Sequence, residues 1–159
     1  MNDKWWIYQH SSFNLQLSIG LMNLSQIPSS VFLYCIAAAA ILIYLPFLVV
    51  GYGRAQVGYD MAAPRAMFDK LPPYAQRASW AHQNSFEAFP IFAAAALMAY
   101  VTGVNSFIAV AGAIAFVVAR LLYSIFYIAN VPLARSLMFA VGSLCSGTLI
   151  VLSLLQASS

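Results

Sequence analysis

Four apolar stretches alternate with short polar breaks along the chain, at about residues 31–52, 78–101, 106–128 and 133–155. A helix of about 20 apolar residues crosses the ~30 Å hydrocarbon core of a bilayer, so the pattern predicts four transmembrane helices. The first is entered through Pro28-Ser29-Ser30 and carries Pro46, where a kink is expected. From Gly53 to Gln76 the composition turns to Gly, Pro and charge, which predicts a polar loop. The second stretch differs from the rest. Ser79, His82, Gln83, Asn84, Ser85 and Glu87 crowd its first half, and only its second half is plainly lipid-compatible. Thr102-Gly103-Val104-Asn105 and Asn130-Val131-Pro132 predict two tight, uncharged turns. Residues 1–30 are mixed in character and leave two readings open. Trp5, Trp6 and Tyr8 suit an interfacial anchor; alternatively the chain starts at Met22 and the preceding residues are a loose extension.

Composition agrees with a membrane setting. The 159 residues are 63% hydrophobic and 7% charged, with a mean hydropathy of +0.83, outside the range of soluble domains. The expectation is an all-α integral membrane protein, one four-helix bundle over residues 31–157 with the lipid bilayer as its partner. The formal net charge is +3, but Lys4, Arg54, Arg65, Lys70, Arg77, Arg120 and Arg135 form no dense cluster, so nucleic acid is not an expected partner. Four of these cations lie between Arg54 and Arg77 and none in the turn after the second helix. The positive-inside rule therefore predicts that loop 53–77 is cytoplasmic and both termini lie on the opposite side. Cys35 and Cys145 sit in apolar stretches without C-x-x-C spacing and are expected as packed thiols, with no metal site. A transporter is disfavoured because the outer half of every helix is apolar.

The polar residues carry the candidate chemistry. At about 100° per residue, Trp80, Asn84 and Glu87 fall within roughly 60° of one another on the second helix. Arg120, Tyr123 and Tyr127, spaced i, i+3, i+7, share a face of the third. An ion pair between Glu87 and Arg120 is expected, since each charge is costly in a span and neither has an opposite charge in its own helix. Such a pair either registers two helices or belongs to a site. Arg135, opening the fourth helix, either snorkels to the headgroups or joins Arg54, Arg77 and Arg120 in an unneutralised pocket for a small anion. His82, about 200° from Asn84, is expected at a helix interface.

W-A-H-Q-N-S-F-E in the second helix resembles the R-A-H-x-N-x-x-E signature of the membrane-associated proteins in eicosanoid and glutathione metabolism, the MAPEG family. Arg120-Leu-Leu-Tyr123-x-x-x-Tyr127 resembles the family's third-helix R-x-x-[YH]-x-x-x-Y, and Arg135-Ser136 its fourth-helix opening. The resemblance spans about Val31 to Leu155. It implies a homotrimer that binds glutathione between neighbouring protomers and acts as a thiol-dependent transferase or peroxidase on a lipophilic electrophile or lipid peroxide. By the same resemblance Arg54, Asn84, Glu87, Tyr123, Tyr127 and Arg135 hold glutathione, Arg120 matches a further family Arg of the binding set, and Arg135 or Ser136 stabilises the thiolate. Trp80 stands where the signature has Arg, and Arg77, one turn earlier on about the same face, is expected to reach the glutathione site from the membrane surface in its place. The family also includes bacterial members and a noncatalytic lipid-binding member, so a noncatalytic lipid-binding or accessory subunit is the alternative.

Overall fold

A computed structural model of the chain describes residues 29–158. The expectations for an N-terminal anchor and a start at Met22 lie outside those residues. Four helices run in order: α1 (Ser30–Gln56), α2 (Pro73–Val101), α3 (Phe107–Ile128) and α4 (Pro132–Ala157), with a single 3-10 turn at Phe68–Lys70 before α2. All four are long and apolar enough to cross a membrane, and α2 has the least apolar window of the four.

Two boundaries depart from the hydropathy pattern. α1 continues past the expected end at Tyr52 because Gly53 is a packing residue here, buried against α2; the chain turns at Gly58, whose φ of 83° suits glycine. Arg54 is thereby held on the last helical turn and not in a loop. α2 starts at Pro73, five residues before the expected Ala78, because proline at the first helical position brings a preset φ and lacks only an N–H that has no intrahelical partner there. α1 runs continuously through Pro46.

The two uncharged turns close in the same way. Val104 N–H donates to Ala99 O and Gly103 N–H to Tyr100 O; Val131 N–H donates to Phe126 O and Asn130 N–H to Tyr127 O. Each is a Schellman closure with a left-handed residue, Gly103 at φ 70° or Asn130 at φ 60°. Ser106 caps α3 by accepting from Ala109 N–H at 3.2 Å. Short turns make α2, α3 and α4 antiparallel neighbours. The tightest pairs are α1 with α2 and α3 with α4, and α2 touches all three other helices.

Small residues permit this closeness. Ala95, Ala96 and Ala99 on α2 and Ala109 and Ala113 on α3 are fully buried, and Phe92 stacks on Phe116 at 3.7 Å between centroids and 3° between planes. Cys35 is a free thiol in the same core, and Cys145 packs against it. A second cluster, Val50, Leu71, Ala75 and Ala78, ties the loop end of α1 to the start of α2. There a Cβ on Gly53 would stand 2.5 Å from Ala75 Cβ, whereas one on Gly51 would meet nothing within 4 Å.

Neither Cβ at the Gly53–Ala75 contact can rotate away. Gly53→Ala is therefore expected to lower unfolding stability in detergent by about 1–2 kcal/mol net of its gain in helix propensity. Gly51→Ala should be neutral or stabilising by up to ~1 kcal/mol. Equal behaviour of the two variants in denaturant titration would contradict the close approach.

Candidate functional site

Glu87 is the middle residue of α2, fourteen positions from either end. Around that level α2 turns a polar edge towards α3. Asn84 and Ser85 face Arg120, whose guanidinium Nη2 donates to Asn84 Oδ1 at 2.9 Å and to Ser85 Oγ at 3.1 Å. Arg120 is only 5% exposed, and its guanidinium carbon lies 4.2 Å from the centroid of the Tyr123 ring. The buried cation is thus held by two neutral oxygens and a ring face.

This corrects the expected ion pair. Glu87 is exposed on the chain's surface and accepts from Gln83 Nε2 at 3.2 Å, one turn back on its own helix. No Glu87–Arg120 salt bridge forms among the described residues. The reason is rotational: Asn84 and Ser85 point at α3, while Glu87 falls on the outer edge of that polar face.

Aromatic rings extend the cluster. Tyr123 meets Tyr127 edge-on at 5.5 Å, and the Arg135 guanidinium lies 4.5 Å from the Tyr127 centroid. The series Arg120, Tyr123, Tyr127, Arg135 therefore runs as two rings between two cations, from the core of α3 to the first turn of α4. Trp80 stands beside it, 6.5 Å from Tyr127 and 5.6 Å from Phe68. A cavity of about 400 Å³ is lined by Trp80, Gln83, Asn84, Glu87, Tyr123 and Tyr127. The expected one-face grouping of Trp80, Asn84 and Glu87 is thus present. A second cavity, about 420 Å³, opens between α2, α3 and α4, with Asn84, Glu87 and Arg120 at its polar end and Phe116, Phe139 and Ile150 among its apolar walls.

Three expected residues stand apart. Arg77 Nε donates to Ile128 O at 2.9 Å, satisfying a carbonyl left over at the end of α3. Ser136 is exposed on α4. Arg54 lies on α1, 5.6 Å from the centroid of Phe47, and lines a different cavity of about 980 Å³ on the α1 side of α2. His82 takes the interface position expected of it: Nδ1 is 2.8 Å from Ile43 O, with the rings of Phe47 and Tyr44 alongside. Because a carbonyl only accepts, Nδ1 carries the proton. Ile43 is next to the carbonyl that Pro46 deprives of its helical donor, a site where α1 accepts outside bonds readily. Sequence reasoning missed Ser85 as the second acceptor for Arg120; the signal was a guanidinium in a span, which needs more than one oxygen. It also missed Phe139, 6.4 Å from Tyr123.

Four spans around a buried guanidinium and a tyrosine-lined cavity define a small multi-pass membrane bundle with a polar centre. Compared with protein families, residues 31–155 match the MAPEG family. The chain belongs to the MAPEG family. No curated protein and no solved structure matches it.

A double-mutant cycle on Asn84→Ala and Arg120→Met, followed by unfolding in detergent, is expected to give a coupling energy of about 1–3 kcal/mol. Ser85→Ala should cost less than Asn84→Ala, since the shorter of the two bonds remains. Additive losses would mean that Arg120 does not depend on Asn84.

Proposed function

We propose that the protein is a membrane-bound, thiol-dependent transferase or peroxidase acting on a lipophilic electrophile or lipid peroxide, with glutathione as co-substrate. The observation that carries this reading is a pair of guanidiniums, Arg120 and Arg135, flanking Tyr123 and Tyr127 with no acidic partner within ion-pair distance among the described residues. Uncompensated positive charge in a low-dielectric bundle favours a small anion. The donor set fits a peptide thiol: Arg135 offers a partly exposed cation, the two tyrosines offer hydroxyls, Asn84 an amide and Glu87 an acceptor for an ammonium group. When bound, glutathione supplies a thiol whose ionised form is the nucleophile or reductant. Arg135 stabilises the negative charge on sulfur, while Arg120, fixed from behind by Asn84 and Ser85, keeps the local potential positive.

The position of Glu87 supports an oligomer. An exposed carboxylate midway along a membrane-spanning helix is costly against lipid, and a neighbouring copy seated on α2 removes that cost. A homotrimer, as the family resemblance implies, provides such a neighbour. The same arrangement is the one in which Arg54 of an adjacent copy joins the thiol-binding set. The end of the bundle that carries Arg54, Arg65, Lys70 and Arg77 is read as cytoplasmic, with both termini opposite.

Trp80 favours a second reading. An indole cannot form an ion pair with a carboxylate, and the Nε of Arg77, one turn earlier on about that face, donates to Ile128 O. A noncatalytic lipid-binding or accessory subunit is the alternative, and thiol-dependent turnover of a chlorodinitrobenzene separates the two.

Arg135→Ala is expected to lower kcat at least tenfold, about 1.4 kcal/mol, while changing thiol affinity much less. Stopped-flow absorbance in the thiolate band reads the ionisation, and parental turnover in the variant would remove Arg135 from the chemistry. Trp80→Arg should lower the KM for glutathione by roughly fivefold, the equivalent of about 1 kcal/mol, with kcat little changed. An unchanged KM would mean that no thiol carboxylate reaches this position.

A further inference from the structure

On the oligomer reading above, Arg54 serves the thiol site of an adjacent copy, yet little in its own chain fixes the side chain. Its Nε is buried and has no hydrogen-bond acceptor among the described residues, and its guanidinium carbon lies 5.6 Å from the centroid of Phe47. The placement of this cation therefore follows from α1 and from that ring. Phe47 in turn stands against His82 of α2, with 5.1 Å between ring centroids, and His82, Phe47 and Arg54 line the same cavity. His82 also takes hold of α1 itself, donating from Nδ1 to Ile43 O at 2.8 Å.

Helical spacing makes this contact more than a point of packing. At about 100° per residue, Phe47 and Arg54 lie within roughly 40° of Ile43, so the pinned carbonyl, the ring and the cation share one stripe of α1. The Gly53–Ala75 contact lies on another stripe, about 80° from Ile43. With no side chain on Gly53, it sets how closely the two helices approach and resists rolling of α1 about its own axis only weakly. Pro46 loosens α1 further, because it has no N–H to give Leu42 O, one residue before Ile43. Tyr74 Oη donates to Gln56 Oε1 at 2.6 Å, but that bond ends on an exposed, flexible side chain, whereas a backbone carbonyl moves only with its helix. A side chain reaching about 6 Å from the axis moves by about 2 Å when the helix rolls by about 20°. Displacement on that scale is enough to cost a positioned group most of its contribution.

We propose that His82 is a positioning residue for the thiol site. By holding Ile43 O it sets the roll of α1, and through Phe47 it fixes where Arg54 is presented to the adjacent copy. The inference rests on the thiol-site and oligomer reading above. It gives the two faces of α2 separate tasks: Asn84 and Ser85 hold Arg120 for the chain's own site, and His82 aims Arg54 at a neighbour's.

Isothermal titration calorimetry of the full-length protein in detergent reads the Kd for glutathione, and turnover of a chlorodinitrobenzene reads kcat. His82→Phe keeps a ring against Phe47 and lacks the donor; His82→Asn loses the ring and offers its amide nitrogen in the place of Nδ1. His82→Phe is expected to weaken glutathione binding roughly fivefold with kcat within about twofold of the parent, and His82→Asn to keep most of the affinity. Arg54→Gln should weaken binding by roughly tenfold, and adding His82→Phe to it by less than about twofold more, because the group through which His82 acts is gone. Phe47→Leu, at an exposed position, carries the same cycle with Arg54→Gln if His82→Phe elutes as aggregate in size exclusion. Parental affinity in a folded His82→Phe, equal loss in His82→Asn, or losses that add in full with Arg54→Gln overturn the proposal and leave the thiol reading standing. Parental affinity in Arg54→Gln, or no glutathione binding by the parent, overturns the thiol reading of Arg54 together with the proposal.

Discussion

The buried guanidinium of Arg120 is the constraint on which the polar centre of this bundle depends. A cation 5% exposed in the middle of a membrane protein must find oxygen, and it finds Asn84 and Ser85 on the neighbouring helix. Those two bonds set the rotation of α2 relative to α3 at the level where Trp80, Asn84 and Glu87 gather. They also leave Tyr123 and Tyr127 as the outer layer over the charge, with Arg135 closing the series from α4. Neutral acceptors matter here. A carboxylate in their place would cancel the positive potential, whereas amide and hydroxyl oxygens hold the cation in position and leave its field intact.

The apolar runs made the four helices legible because period and length are written directly in residue type. Their ends were less so. Gly53 reads as a breaker when only local propensity is considered, yet in the fold it is where α1 presses against Ala75, and the actual stop is Gly58. Pro73 reads as part of a loop, yet it is a first helical residue. In both cases the same residue type serves two ends, and tertiary contact decides which.

The candidate site was partly legible for a related reason. Helical spacing placed Trp80 with Asn84 and Glu87, and Arg120 with Tyr123 and Tyr127, and both groupings are present. Spacing within a helix says nothing about its rotation against another, so Glu87 was assigned to Arg120 when Asn84 and Ser85 hold that place. Likewise neither charge sign nor helix spacing tells on which side of α2 Arg54 and Arg77 lie. Arg77 is committed to the end of α3 and Arg54 to the far side of α2.

Glu87 lies on the wall of all three cavities described here. One carboxylate is therefore the common neighbour of whatever occupies either face of α2, with Gln83 beside it on two of those walls. Its negative charge opposes an anion arriving at Arg54 and one arriving near Arg135 alike, and any occupant that draws Glu87 towards itself changes the field on the other side. Thermodynamic linkage would make such an influence mutual: occupancy of one face of α2 and affinity at the other would be coupled quantities, each readable in the other.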